Sequence, residues 1–280
     1  MTRALATRPS GFFGSPRRTV DLERLRAAAA HPRFRALARS RAVEPSLDEA
    51  TPFAAPTAAA AISPEQRLLQ RISFGPTTAD AARIRQIGYQ RYLDEQLNYQ
   101  ALDDSELDAA LAEALPTLSM TPAQLYFGEN FDLTYELPIT AILRAIYTKR
   151  QLFETMVHFW TDHFNIDLLG DTAHFLKQVD ERDVIRKHAL GKFPDMLRAS
   201  SKSTAMLTYL TNDSNYAGSP NENYSREIME LHSLGADQGY TQQDVRELAR
   251  CFTGWFYVGE DDPANFGRFR FEVESHDQER

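Results

Sequence analysis

Two stretches of this sequence set ionisable side chains inside apolar helical patterns. From Leu152 to Phe164, at roughly 100° per residue, Leu152, Phe153, Met156, Phe159 and Trp160 form a broad apolar arc, and His163 falls inside it. An imidazole at such a position can act as a general base or a metal ligand. The plainer alternative is a buried histidine hydrogen-bonded to a carbonyl. His158 lies on the opposite face with Glu154 and Asp162 four residues to either side, the spacing of ion pairs on an exposed helix.

The second stretch runs from Asn221 to His232. On the same wheel Asn223, Glu227 and Glu230 form a polar stripe beside an apolar face of Tyr224, Ile228 and Leu231, with His232 at the far edge of that face. Carboxylates three residues apart can hold a metal or divide acid and base roles. Arg226, immediately before Glu227, suits an anionic group. The arrangement is similar to the helix-borne ligands of di-iron bundles, but those use Glu-x-x-His and this segment does not. The alternative is that Glu227 and Glu230 pair with Arg or Lys from neighbouring helices. Cys251 reads as a small core residue rather than a nucleophile.

The elements that must position these groups are helices. Ser63-Pro64-Glu65-Gln66 has the form of a helix start, Gly88 of a stop, and Thr241 to Asp244 of another capped start, while Gly191 and Gly235 fall where C-caps belong. Helical periods are expected over residues 63–73, 78–88, 89–97, 103–115, 138–150, 152–164, 178–190, 194–200, 203–210, 222–234 and 241–252. Strand patterning appears only at 255–258 and 268–273. The fold class expected is mainly α, a multi-helix orthogonal or irregular bundle with a small β element near the C-terminus. Residues 1–62, rich in Arg and Ala, read as a partly disordered N-terminal extension that could form a basic helix over 21–41. Residues 63–280 read as the helical domain.

With 280 residues and 42% hydrophobic content the chain can build a sizeable core. A net charge of -8 argues against nucleic acid as a partner of the whole protein. The single cysteine excludes an intramolecular disulfide. No apolar run reaches the 18 to 20 residues of a membrane span, and no signal peptide is readable. Zinc-protease, nucleophile-elbow, phosphate-loop and dinucleotide signatures are absent, which removes the easiest enzyme classes.

Five segments carry a family resemblance: Arg67-Leu68-Leu69 with Ser73 to Thr77, Phe159 to Phe164, Ile185 to Phe193, Pro220 to Glu227 with Met229-Glu230-Leu231, and Asp244 to Arg250 with Phe252 to Trp255. Together they resemble the bacterial family catalogued as domain of unknown function 1800, from about residue 64 onward. The resemblance implies a largely helical, often exported protein. It also implies a gene neighbourhood shared with a sulfatase- and phosphatase-like family, and so a partner of that kind. His163, His188, Asn221, Glu222, Asn223, Arg226, Glu227, Glu230 and Trp255 fall on the family's motif positions, while Thr161 stands where many members have a further histidine. The family domain usually extends past the His-Asp pair found here as His276-Asp277, so the expected domain is incomplete at its C-terminus.

The leading functional expectation is a metal-assisted hydrolase. Glu227, Glu230, His163 and Arg226 form its catalytic set, and His163, His188, Glu227, Glu230 and His232 are the candidate ligands of a divalent metal. The competing expectation is a non-enzymatic, envelope-associated scaffold or partner-binding module with a buried polar network. Compartment and substrate are left open by the sequence.

Overall fold

The computed structural model describes residues 22–40, 62–128, 133–168 and 174–278. Within the arginine-rich segment, α1 (Leu22–Ala29) and α2 (Pro32–Ser40) break at the His31-Pro32 step, since proline cannot continue a preceding helix. Phe34 and Leu37 of α2 are buried against Leu107, Ala110 and Leu111. Arg33 and His31 both reach Glu113. Arginines 3, 8, 17, 18 and 41 and residues 51–61 of the linker lie outside the described residues.

Next come α3 (Pro64–Ile72), α4 (Thr78–Ile87) and α5 (Tyr89–Leu97), around a small core of Leu68, Leu69, Ile72, Ile84 and Tyr92. Ser63 and Thr77 form reciprocal capping boxes with Gln66 and Asp80, each satisfying two backbone donors that a helix start leaves open. The chain continues through α6 (Ser105–Ala114), α7 (Pro122–Phe127), α8 (Leu133–Tyr147) and α9 (Gln151–His163). The sequence pattern misses α7, a helix of six residues, and starts α8 at Pro138. The helix instead begins at Leu133 and carries Pro138 inside it. Proline removes one bond of a helix without ending it when the flanking turns are packed.

The largest core lies beyond α8. Phe153, Val157 and Phe164 of α9 and its end meet Leu176, Val184 and Ile185, then Met196, Met206, Leu207, Tyr224, Ile228 and Phe252. These come from α10 (His174–Asp180), a π-helix at Glu181–Ile185, α11 (Arg186–His188), α12 (Phe193–Ser201), α13 (Thr204–Tyr209), α14 (Glu222–Glu227), a second π-helix at Ile228–Ser233, and α15 (Gln242–Phe252). Strands β1 (Trp255–Tyr257) and β2 (Phe269–Phe271) pair antiparallel with Phe256 opposite Arg270. The molecule is therefore mainly helical with a small β-hairpin, as the sequence implies.

Three face assignments change. Glu154, expected on the solvent face of α9, is buried and accepts from Arg186 at 2.5 and 2.8 Å, because the helix carrying Arg186 covers that side. Phe159, expected in the buried arc, is 52% exposed. Cys251 is exposed rather than in the core. The buried stripe of α15 is Val245, Ala249 and Phe252, and position 251 falls off it.

Candidate functional site

His163 closes α9 and is half-buried. Its Nε2 lies 3.1 Å from the backbone oxygen of His232. A carbonyl oxygen only accepts, so Nε2 carries the proton and the lone pair of the neutral ring is on Nδ1. This is the carbonyl-bonded histidine of the plainer sequence reading, yet it leaves one nitrogen free of that bond. Phe164 and Phe193 stand edge-on to the ring at 4.7 and 6.1 Å, and Trp160 at 5.5 Å.

His232 reaches this place because α14 passes into a π-helix over Ile228–Ser233. Bonds of the i to i+5 type widen each turn, so a wheel drawn at the α spacing misplaces every later residue. The Leu234 amide donates to the Met229 carbonyl and the Ser233 hydroxyl to that of Ile228, both five residues back. His232 thereby turns inward: it is 4% exposed, with its ring 5.2 Å from Phe164 and 6.3 Å from His163. Burial, and secondarily the neighbouring His163 charge, push its pKa down to about 4. The first π-helix, Glu181–Ile185, precedes His188, which is half-buried. The Trp160 indole ties α9 to the same corner by donating to the Ala189 carbonyl at 3.0 Å.

The carboxylates form a separate group. Arg226 donates to Glu222 at 3.2 Å, to Glu230 at 3.5 Å and to Gln242 at 2.9 Å, and Arg246 of α15 reaches Glu222 at 3.0 Å. Glu230 thus pairs within its own helix, where the sequence suggested a neighbouring one. Glu227 is half-buried and has no hydrogen bond or ion pair among the described residues. The structure joins His163 to His232 and Arg226 to Glu230. No hydrogen bond or ion pair links those two sets, or His188 to either, among the described residues. Nor do these residues place three or more His, Cys, Asp or Glu side chains around a metal position. The donor set needed for a protein-held transition metal is larger than either pair supplies.

The asparagines of the Pro-Asn-Glu-Asn stretch work structurally. Asn221 caps α14 by accepting from the Asn223 amide, and its own amide nitrogen donates to Thr211 and Ser214. Behind it, buried Asn215 donates to Asn212 and to the Ala249 carbonyl, and Asn212 donates to the carbonyls of Phe252 and Trp255. Such a network fixes α14, α15 and β1 in one arrangement because every buried polar group must keep its partner. Gly254 sits at φ +77° with the position of an added Cβ only 2.5 Å from the Glu272 carbonyl, so the turn there requires glycine. Asp277 grips Arg250 at 2.7 and 3.2 Å, and the His276 Nδ1 donates to the Thr253 carbonyl at 2.9 Å.

Two features escaped the sequence reading. One is a buried chain in which the Ser203 hydroxyl donates to Asp180 at 2.6 Å and Lys177 stands 3.7 Å from the other carboxylate oxygen. Burial raises the Asp180 pKa while Lys177 opposes that rise. Lys177 and Asp180 at i and i+3 amid Phe175, Leu176 and Val179 were the available signal. The other is the apolar rim of the His163 corner, where Phe159, Phe193, Leu231 and Leu234 are 52%, 37%, 63% and 56% exposed.

Fold and site together define a helical protein whose centre is a histidine pair at the join of α9 and a π-turn, beside a separately paired Arg-Glu cluster. A family model described as protein of unknown function (DUF1800) matches residues 67–280, and the chain belongs to that family. Neither a curated protein nor a solved structure matches the chain.

Proposed function

We propose that this chain is a partner-binding module whose recognition face is the apolar rim around His163. The observation that carries the reading is the exposure of four large apolar side chains: Phe159 and Phe193, whose rings stand 6.4 and 6.1 Å from that of His163, and Leu231 and Leu234, which flank the inward-turned His232 in the chain. Aromatic and aliphatic anchors surrounded by polar groups are the anatomy of protein interfaces. Chain neighbours of the rim carry both signs, Asp162 and Asp195 beside Lys187 and Lys192, which suits a protein surface better than an anionic lipid. The partner is the sulfatase- and phosphatase-like protein that the family resemblance implies, and the setting is the cell envelope. Buried networks such as Asn212-Asn215 hold the face rigid.

The test is calorimetry between the two purified proteins. A complex forms, and the Phe159→Ser, Leu231→Ser double variant weakens it by about tenfold or more, since interface anchors carry most of the affinity. An unchanged affinity in that variant, or no complex at all, overturns the reading.

A second reading, a metal-assisted hydrolase, is favoured by the fixed tautomer of His163, which presents Nδ1 as an oriented base or ligand. Hydrolysis of 4-nitrophenyl phosphate, sulfate or acetate, with and without added zinc or manganese, would then disappear in His163→Gln and fall in Glu227→Ala. Rates equal to wild type in both variants exclude it.

A further inference from the structure

At the edge of the β-hairpin, away from the histidine pair, lies a cavity of about 300 Å³. Its walls combine two chemistries. The rings of Tyr216 and Phe256 stand 5.3 Å apart and inclined at 40°, with Tyr257 beside them. Asp213 and Asp261 line the same cavity, while Glu272, also on the wall, is already paired with Arg270. Neither Asp213 nor Asp261 has an ion pair among the described residues. Asp213 is half-buried, Phe256 is buried, and Tyr216 is 48% exposed at the mouth. The pocket therefore holds two uncompensated negative charges against π-surfaces.

Each class of ligand can be weighed against that lining. A neutral polyol would leave both charges uncompensated. A hard metal ion would use the carboxylate oxygens but gain nothing from the ring faces that share the wall. An organic ammonium satisfies both walls at once: its charge faces the carboxylates and its alkyl groups face the rings, whose quadrupoles attract cations. We propose that this pocket binds an alkylammonium group. Arg270 offsets Glu272, so the wall keeps the two negative charges of Asp213 and Asp261, one of which a single organic cation neutralises. The position is fixed by the fold: Asp213 comes from the turn after α13, whose Thr211 and Ser214 accept from the α14 cap Asn221, and Phe256 comes from β1 opposite Arg270.

The probe is choline, and its neutral isostere 3,3-dimethylbutan-1-ol is the control. Binding is followed by NMR shifts of the tyrosine resonances in the full chain. Choline saturates the site and the neutral isostere does not. Asp213→Asn, which keeps shape and removes charge, weakens choline by about tenfold, the scale of one close charge contact. Tyr216→Ala, at an exposed position that folding tolerates, weakens it comparably, with far-UV circular dichroism unchanged. Equal response to choline and its isostere, or choline affinity unchanged in both variants, overturns the proposal. Phosphatidylcholine vesicles added to the same assay assign the source. Competition with choline places the ammonium on a lipid headgroup, and its absence places it on a free molecule; either result retains the site.

Discussion

His232 offers the most direct measurement on a single residue. Its folded pKa of about 4 lies below the ordinary 6.5 because the ring is buried beside His163. The unfolded state therefore binds this proton first as pH falls. Stability attributable to the neutral ring is complete above pH 6.5 and is lost progressively down to about pH 4, on the order of 3 kcal/mol in all. Urea denaturation of wild type and His232→Gln across that window should show the wild type losing more with acid, and a parallel pH dependence would refute it. Gly254 makes a second prediction of this kind. Gly254→Ala forces a Cβ against the Glu272 carbonyl at a positive φ, and should cost about 2 kcal/mol or more. A midpoint in urea equal to wild type would show that the Gly254 turn relaxes freely.

Among the elements, the join of α8, α9 and the first π-helix rests on a buried quartet: Arg144, Glu154, Glu181 and Arg186. Glu154→Ala leaves Arg186 without its bidentate acceptor and should cost about 3–5 kcal/mol. The pair Glu154→Leu with Arg186→Met removes both charges and leaves Arg144 with Glu181, so it should recover much of that loss. A double variant as unstable as the single one would contradict this. Neither the burial of Glu154 nor its partner is legible locally, because Arg186 lies 32 residues away. Helix starts were legible, since Ser63, Thr77 and Thr241 cap with residues three positions on. The hairpin was legible from alternating aromatics at Trp255 to Tyr257. The inward turn of His232 was not, because a period of 3.6 cannot represent a π-turn. For the candidate site, the sequence pointed to His163 and to the Glu227–Glu230 turn; the structure bonds His163 to the His232 carbonyl and pairs Glu230 with Arg226 in a separate group, because the π-turn between them is invisible to a 3.6 period.

At the scale of the molecule, three cores meet along α8 and α9, and the N-terminal helices contribute to one of them. Phe34→Ala should cost about 3–5 kcal/mol, the range for emptying a fully buried aromatic site. Removing residues 1–40 should expose Leu107, Leu111 and Ile139 and lower the melting temperature; an unchanged temperature would show that α1 and α2 are dispensable to the fold. The two π-turns add a constraint of another kind. Each holds one residue more than an α-turn would need to span the same rise. Side chains there can be exchanged while the path of the chain is kept. Deleting a single residue from 228–233 would instead let the segment wind as a regular α-helix over the same rise, so that the flanking turns keep their phase while the side chains inside the window are re-aimed. In a deletion scan, loss of one residue from either window should be better tolerated in stability than loss from the regular turns of α9 or α15, while after loss from 228–233 His232 no longer faces His163, because the extra residue is what turns that ring inward.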